Sequence, residues 1–282
     1  MAQTTALRQF AQTETQPLQR RPVIEINGAE KTFGNGFRAL EPVDLTVREG
    51  EFLTLIGPSG CGKSTLLGLM TNLLQPSAGQ VKWWGDSFER TGTPGKSLSI
   101  VFQDATLMPW ASIEANVRLP LDLAGVPRSE STPRVRAALE KVGLKGFGDR
   151  LPRQLSGGMR MRVSIARSLV TEPDLLLMDE PFGALDEFTR NKLDADLLDL
   201  WRERNLSIVF VTHSIYEAVF LSSRVVVMAA RPGRISRIID IDVPGPRDEE
   251  FRGSPRFAAL CAELSAALRE ASDQSGSHPQ DE

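Results

Sequence analysis

The chain has 282 residues, enough for one large domain or two modest ones, and 41% of them are apolar, which is ordinary for a globular protein with a buried core. Its net charge of −3 gives no basic footprint that would point to nucleic acid as a partner. No run of 18 apolar residues could span a membrane, and the two distant cysteines, Cys61 and Cys261, argue for a reducing compartment rather than a disulfide framework.

The N-terminal part predicts a tail followed by antiparallel strands. Residues 1–21 are rich in Gln and Thr and carry no apolar segment, so we expect a flexible tail and not a secretory signal. Residues 23–27 and 43–47 alternate apolar and polar side chains, as half-buried antiparallel strands do. A turn signal at 35–36 separates them.

A glycine-rich loop follows the apolar run 53–56 and precedes a helix-like stretch that begins at Thr65. Its glycines can adopt backbone angles closed to other residues, so successive amide N–H groups can turn towards one anion at the positive end of the helix dipole. This context predicts a P-loop, the phosphate cradle of an NTPase, in which Lys63 would reach the β- and γ-phosphates and Ser64 would offer its hydroxyl to Mg²⁺. The candidate nucleotide-binding residues are Gly57, Pro58, Ser59, Gly60, Cys61, Gly62, Lys63, Ser64 and Thr65.

The middle of the chain predicts an α/β core with an insertion. The runs 53–56, 175–178 and 208–211 are continuously apolar, as parallel strands covered on both faces are, and 99–102 is a further candidate. A helical pattern at 189–204 lies between two of them. Strands that alternate with helices favour an α/β core. The segment 104–155 lacks long strand patterns and is interrupted by prolines, so we expect an inserted, mainly helical subdomain.

The C-terminal part predicts an amphipathic helix beyond Pro246, too short for a folded regulatory domain. The last dozen residues are polar, and we expect them to be disordered. The apolar stripe of the helix consists of Phe257, Leu260, Cys261, Leu264 and Leu268.

Two further clusters add chemistry to the P-loop. The strand pattern 175–178 ends in Asp179 and Glu180, at the sheet edge where a P-loop opens. Asp179 is then placed to hold Mg²⁺ through water, and Glu180 could accept a proton from an attacking water; two acids at a strand end can also be a solvated turn. Residues 156–158, Ser-Gly-Gly, precede an unbroken helical run and form a second potential anion site. Taken alone, Ser156 is equally well an ordinary N-cap.

Together these motifs resemble the ATP-binding subunit of ABC transporters, from about residue 23 to residue 243. They occur in the family's order: the P-loop at 57–64, the Q-loop glutamine Gln103, Leu-Ser-Gly-Gly at 155–158, Asp179 with Glu180, the D-loop at 184–186 and the switch histidine His213. The resemblance implies an α/β P-loop NTPase fold of ABC type, with a RecA-like core, an antiparallel β subdomain and an inserted helical subdomain. The ATPase domain would span 22–245, with the helical subdomain at about 104–158 and a C-terminal helix and disordered tail at 246–282.

The resemblance also implies a head-to-tail homodimer. Each ATP would lie between the P-loop of one chain and Ser156, Gly157 and Gly158 of the other, and two-fold symmetry would make both sites equivalent. The C-terminal helix would either pack on its own chain or extend this dimer contact.

Roles for individual residues follow from the same resemblance. Gln103 would sense Mg²⁺ and the attacking water, and His213 would hydrogen-bond the γ-phosphate and steady the water and Glu180. The alternative for His213 is a satisfied imidazole in the core. The implied catalytic residues are Lys63, Gln103, Glu180 and His213, and the implied Mg²⁺ ligands are Ser64, Gln103 and Asp179.

Three positions depart from the family pattern or need a choice. Met159 stands where the family usually has Gln, so the hydrogen bonds of that residue are in doubt. Phe33 is the candidate for stacking on adenine, with Phe37 behind it, although a phenylalanine near a strand end is often simply core. Cys61 lies within the P-loop, which predicts that alkylation blocks ATPase activity and that ATP protects.

Features outside the catalytic motifs resemble an importer subunit. The chain has one ATPase unit, and residues 107–110, Leu-Met-Pro-Trp, resemble the nitrate, sulfonate and taurine importers. The implied partners are transmembrane permease subunits and a separate solute-binding protein, at the cytoplasmic face of a bacterial inner membrane. Trp110 would face the permease or, alternatively, fill the helical subdomain. A thiamine-related pyrimidine remains an alternative cargo; a soluble ABC ATPase acting on DNA, ribosomes or Fe–S assembly remains an alternative function, as does an exporter subunit.

Overall fold

The structure is a computed structural model that describes residues 20–88, 96–183 and 185–276. The predicted flexible tail therefore lies outside the described residues, apart from Arg20 and Arg21. The described strands are β1 (Pro22–Thr32), β2 (Arg38–Arg48), β3 (Phe52–Ile56), β4 (Ala78–Trp83), β5 (Leu98–Val101), β6 (Leu175–Asp179), β7 (Ser207–Val211), β8 (Arg224–Ala229) and β9 (Arg234–Asp240). The described α-helices are α1 (Lys63–Met70), α2 (Ile113–Leu123), α3 (Arg128–Lys141), α4 (Gly157–Leu169), α5 (Glu187–Arg204), α6 (Ile215–Leu221), α7 (Glu249–Arg252) and α8 (Pro255–Gly276).

The N-terminal strands form the predicted antiparallel β subdomain. β1 pairs with β2 on one side and with β4 on the other, both antiparallel, in the order β2-β1-β4. The alternating pattern at 24–27 arises because one face of β1 is buried, with Ile24 and Ile26 almost fully covered and Glu25 and Asn27 less so. The prediction of two antiparallel strands separated by a turn is confirmed.

The second sheet has the order β5-β6-β7-β3-β8-β9 and forms the core. Its first five strands are parallel, and β9 returns antiparallel to β8. The parallel strands are buried on both faces of the sheet. In β3, for example, Phe52 and Ile56 belong to one hydrophobic cluster and Leu53 and Leu55 to the other. The continuously apolar runs in the sequence reflect this two-sided burial.

The register of the parallel strands brings their carboxyl ends to one level. Leu55 of β3 and Asp179 of β6 both pair with Val211 of β7, and Val101 of β5 pairs with Met178 of β6. The residues that follow these strands therefore share one edge of the sheet. The predicted α/β core is confirmed, and its edge sets the location of the candidate site.

The helical insertion consists of α2 and α3, which pack on each other and on α4. Pro120 and Pro133 lie inside α2 and α3, whereas the sequence indicated that prolines break this segment. A proline removes one backbone hydrogen bond from a helix. Both helices continue because their apolar faces are buried, with Val117 in α2 and Val135 in α3 fully covered in the cluster that also contains the core sheet.

The C-terminal helices pack on their own chain, as one of the two alternatives for this segment expects; an extension of the dimer contact stays a prediction. α8 lies against β8 and α6, and its Leu264, Ala267 and Ala271 are almost completely buried. The predicted stripe is confirmed, because Phe257 and Leu260 are buried and Cys261 and Leu268 are partly buried against the same cluster. The helix continues to Gly276, so the expectation of disorder over the last dozen residues is wrong for 271–276. No helix in the described ranges is long and apolar enough to cross a membrane.

A buried ionic cluster joins α5, α6 and α7. Asp194 of α5 is almost completely buried, and its Oδ2 accepts from Nη2 of Arg252 at 3.1 Å. Glu217 of α6 is also buried and pairs with Nε of Arg190 at 3.4 Å. Burial and then the charge of Glu217 raise the pKa of Asp194 to about 7, and these effects outweigh the pairing with Arg252.

We predict that Asp194 makes folding stability pH-dependent. Its pKa is higher in the folded chain than in the unfolded chain, so its contribution is largest in acid and is lost as the pH rises towards 7. Between pH 5 and 7 the free energy of unfolding of the wild type should fall relative to that of Asp194→Asn, by at most about 1.4 kcal/mol per pH unit. Urea unfolding of both proteins at pH 5, 6, 7 and 8 measures this difference. Parallel pH profiles would contradict it.

Candidate functional site

The P-loop connects β3 to α1 in a conformation that depends on glycine. Gly60 and Gly62 have φ angles of +75° and +90°, in the left-handed region that favours glycine. A Cβ on Gly62 would lie 2.6 Å from Cδ2 of Leu40, and one on Gly57 would lie 2.6 Å from the carbonyl oxygen of Met228. The loop is therefore pressed between β2 and β8, with no room for larger residues at these positions.

The polar groups of this loop suit a phosphate chain. Nζ of Lys63 donates to the carbonyl oxygens of Gly57 at 2.9 Å and Pro58 at 3.2 Å, so the ammonium group crosses the loop at the start of α1. Ser59, Gly60 and Ser64 are exposed, whereas Thr65 is partly covered. Amide groups, a cation and a helix N-terminus meet here, and this combination attracts anions.

Asp179 and Ser64 form an oxygen-rich pair beside the loop. The Ser64 hydroxyl stands beside the Asp179 carboxylate at the end of β6. Burial raises the pKa of Asp179, and the nearby Ser64 hydroxyl partly offsets this rise. A hydroxyl and a carboxylate are ligands that suit Mg²⁺, which otherwise uses water and substrate phosphates. Within the described part of the chain, no three His, Cys, Asp or Glu residues are grouped so that they could hold a metal ion.

Glu180 and His213 meet at the same edge. Nδ1 of His213 lies 3.3 Å from Oε2 of Glu180, although 33 residues separate them in sequence. Glu180 has a positive φ of 43°, and its N–H donates to the carbonyl oxygen of Val211 at 3.0 Å. A left-handed conformation of a non-glycine residue is strained, and such strain clusters at functional sites. The His213 side chain is 61% exposed, so the interpretation as a core imidazole is wrong.

Gln103 follows β5 at this edge. Val101 is the last residue of β5 and pairs with Met178 of β6. Gln103 therefore lies just beyond the carboxyl end of β5, at the same end of the strands as Asp179 and Glu180. Its side chain is exposed. The structure thus brings Gln103 to the edge that carries the carboxylates.

The second glycine motif begins α4. Ser156 is its N-cap, and the Ser156 hydroxyl accepts from the N–H of Met159 at 3.3 Å. A Cβ on Gly158 would lie 2.9 Å from Cδ2 of Leu185, so this motif packs on the segment that precedes α5. A Cβ on Gly157 would meet only Nη2 of Arg160, at 3.9 Å. The N-cap interpretation of Ser156 is therefore correct, and an anion site at the same helix start stays a prediction.

Met159 and Phe33 occupy different environments. Met159 is partly buried and packs against the main hydrophobic cluster, an environment that does not require the amide of a glutamine. Phe33 is 37% exposed and stacks on Phe37, with ring centroids 6.4 Å apart. Both rings lie on the turn between β1 and β2, and β2 then reaches Leu40 against the P-loop. The rings are too exposed for core packing, and adenine stacking stays a prediction.

Cys61 does not face solvent. It is completely buried in the cluster beneath the β subdomain, and burial raises the pKa of its thiol. A protonated, enclosed thiol is a poor nucleophile. The structure therefore gives no support to the alkylation expectation, and we now expect Cys61 to react slowly whether or not ATP is bound.

Sequence inspection missed a polar network behind His213. Nη2 of Arg190 donates to the carbonyl oxygen of Leu185 at 2.9 Å, and the Thr212 hydroxyl donates to the carboxylate of Glu217. The pattern Ser214-x-x-Glu217 is a capping-box signature that could have drawn attention to it. Of the predicted D-loop, Leu185 and Asp186 are described and Ala184 lies outside the described residues; Asp186 caps α5 by accepting from the N–H of Thr189 at 2.9 Å.

Comparisons with known proteins agree with this geometry. The ABC transporter family profile matches residues 40–183. An uncharacterized ABC transporter ATP-binding protein of Methanocaldococcus jannaschii is 50% identical over 228 residues, which are 80% of this chain and 84% of that protein. The aliphatic sulfonates import ATP-binding protein of Bacillus licheniformis is 44% identical over 240 residues, which are 84% of this chain and 91% of that protein.

A solved structure of an ATP-binding cassette gives the same result. That structure is a dimer in a post-hydrolysis state, bound to ADP and phosphate, and it matches with a TM-score of 0.69 and 32% identity over 78% of this chain and 99% of its own. Profile, sequence and fold thus point to one family. The chain belongs to the ABC transporter family, in which it is an ATP-binding subunit that hydrolyses ATP.

Proposed function

We propose that two copies of this chain bind Mg²⁺-ATP head to tail and that its hydrolysis drives the import of a small solute. The observation that carries the proposal is the meeting of two pairs at one sheet edge, Ser64 with Asp179 and Glu180 with His213. The first pair can hold a metal ion, and the second can accept the proton of an attacking water. Both stand next to the loop that suits a phosphate chain.

The binding residues would act mainly through charge. Lys63 and the N-terminus of α1 would offset the negative charge of the β- and γ-phosphates. Ser64 and Asp179 would hold Mg²⁺, with Gln103 beside them as a further ligand, and Mg²⁺ supplies charge neutralisation on the phosphate oxygens. Phe33, or Phe37 behind it, would stack on the adenine.

The proton of the attacking water would go to Glu180. Its carboxylate accepts from a donor, so His213 must carry a proton on Nδ1 to make the observed contact. A second proton on Nε2 would let the imidazole donate to a γ-phosphate oxygen as well. His213 would then hold Glu180 and the phosphate in one arrangement, which lowers the cost of aligning the water.

The second half of each ATP site would come from the partner chain. Ser156 caps α4 by accepting from the N–H of Met159. The N–H groups of Gly157 and Gly158 at the start of α4 would then be available for an anion. Phe188, two residues after the D-loop, is 86% exposed, and so large an exposed ring fits an interface between chains. The dimeric relative bound to ADP and phosphate supports this arrangement.

We predict that Glu180→Gln binds ATP and dimerises but hydrolyses ATP at least about a hundredfold more slowly, because glutamine cannot accept the proton. Steady-state phosphate release measures the rate, and sedimentation with and without ATP measures dimerisation.

Glu114→Gln is the control for this experiment. It neutralises a carboxylate of the helical subdomain that pairs with Arg118 four residues along α2. Its turnover should stay near that of the wild type. Near-normal turnover of Glu180→Gln would remove Glu180 from the role of base.

The surface after Gln103 would contact a permease. Trp110 is 78% exposed, which rules out the alternative that it fills the helical subdomain. Arg167 of α4 donates to the carbonyl oxygens of Thr106 at 2.9 Å and Ala105 at 3.1 Å and so anchors the segment that leads to Trp110. An exposed tryptophan on an anchored segment is a typical binding hot spot. The subunit would then work at the cytoplasmic face of the membrane.

The cargo we propose is a small solute of the nitrate, sulfonate or taurine kind, delivered by a separate solute-binding protein. The relative named for aliphatic sulfonate import supports this choice. A thiamine-related pyrimidine is the alternative cargo. A soluble ATPase acting on DNA, ribosomes or Fe–S assembly is the alternative function, and it would need no permease.

We predict that Trp110→Ala keeps the ATPase activity of the isolated subunit but binds the permease much more weakly. A pull-down of the tagged chain from native membranes in gentle detergent should recover at least about tenfold less permease, as for the loss of a hot-spot residue. Leu123→Ala, also at an exposed apolar side chain, is the matched control. Recovery of ribosomes or DNA-bound proteins without any permease would contradict the importer function.

A further inference from the structure

We propose that Glu217 and Arg190 are positioning residues for ATP hydrolysis, which hold the loop that carries His213 and connect it to the segment beside the second glycine motif. The inference rests on the proposed role of His213. It assigns a task to a polar network that the catalytic motifs do not include.

Glu217 holds both neighbours of His213. The Thr212 hydroxyl donates to Oε2 of Glu217, and the N–H of Ser214 donates to Oγ1 of Thr212 at 3.0 Å. The N–H of Glu217 in turn donates to the Ser214 hydroxyl at 3.3 Å. The residue before His213 is thus bonded to the carboxylate of Glu217, a residue that is only 4% exposed, and the residue after His213 is bonded to Thr212 and to the backbone of Glu217.

His213 itself depends on this support. Its side chain is mostly exposed, and the contact that orients the ring is the one to Glu180 at 3.3 Å. Aligning an exposed imidazole for catalysis costs conformational entropy. That cost is lower when the backbone on both sides of the residue is already held in place. The direction of the ring therefore follows from how Thr212 and Ser214 are held.

The network continues away from His213 through Arg190. Nε of Arg190 lies 3.4 Å from Oε1 of Glu217, and Nη2 of the same guanidinium donates to the carbonyl oxygen of Leu185 at 2.9 Å. Leu185 is the side chain that a Cβ on Gly158 would meet at 2.9 Å. A continuous chain of contacts thus leads from the second glycine motif through Arg190 and Glu217 to the loop of His213.

A simple helix cap would not need this arrangement. In a capping box the carboxylate of the third helical residue bonds back to the N–H of the N-cap residue. Here the Thr212 hydroxyl stands between them, accepting from Ser214 and donating to Glu217, so the carboxylate reaches the residue before His213. Because Glu217 is buried with Asp194 nearby, Arg190 and Arg252 are needed to balance the two carboxylates.

The test compares Glu217→Gln and Thr212→Val in two backgrounds, the wild type and His213→Ala. In the wild type we expect kcat for ATP to fall about tenfold in each variant, with KM changed less than about twofold, because alignment is lost and binding is not. In His213→Ala both substitutions should change kcat by less than about twofold, since the residue they position is gone. Thr212→Ser keeps the hydroxyl and should restore turnover.

Glu51→Gln is the matched control. Glu51 is a buried carboxylate that also pairs with an arginine, Arg224 at 2.7 Å, but it lies just before β3, at the opposite end of the strands. This variant should lower the melting temperature without lowering kcat. Thermal unfolding of every variant identifies those that do not fold. If Glu217→Gln does not fold, Thr212→Val still tests the inference, because it replaces only one hydroxyl by a methyl group.

The possible results separate the two proposals. If His213→Ala turns over ATP normally, the proposed role of His213 fails and the inference fails with it. If His213→Ala is slow but Glu217→Gln and Thr212→Val are normal, or reduce kcat equally in both backgrounds, the inference alone is overturned. A loss that disappears in the His213→Ala background supports it.

Discussion

Parallel strands that pair in register end at one level, and in this chain β5, β6, β7 and β3 do so side by side. The P-loop, Gln103, the two carboxylates and His213 each follow the end of one of these strands. Distant parts of the sequence therefore meet at one edge, where Glu180 and His213 are in direct contact. The apolar side chains that bury both faces of the sheet are thus also what positions the candidate site.

The site combines rigid and adjustable parts. The P-loop is fixed because Gly57 and Gly62 are pressed against β8 and β2, where no larger residue fits. His213 and Gln103, by contrast, have exposed side chains at the edge of the sheet that carries the candidate site. A rigid cradle suits binding, and exposed polar groups on well-held loops suit a response to the γ-phosphate.

The sequence was sufficient for β1, β2, β3, β5, β6 and β7, for the P-loop and for the motif order, because each is a local pattern of apolar residues or glycines. It did not predict β4, β8 and β9. It was not sufficient for the network around Glu217, which joins α5 to α6 and depends on tertiary packing. The burial of Cys61 was missed for a similar reason, since the cluster that encloses it draws on several strands of both sheets and on α1. The continuation of α2 through Pro120 and of α3 through Pro133 was not predicted, because buried apolar faces offset the hydrogen bonds that these prolines remove.

The central claim is that each ATP site is shared by two chains, and complementation between two inactive variants tests it most directly. Lys63→Ala damages the P-loop, and Gly157→Asp places a carboxylate at the second motif, where the structure leaves room for a Cβ. When equal amounts of the two are mixed, half of the dimers should contain one intact site, which gives about a quarter of the wild-type ATPase activity. A mixture that is no more active than the two variants measured separately would contradict the shared site.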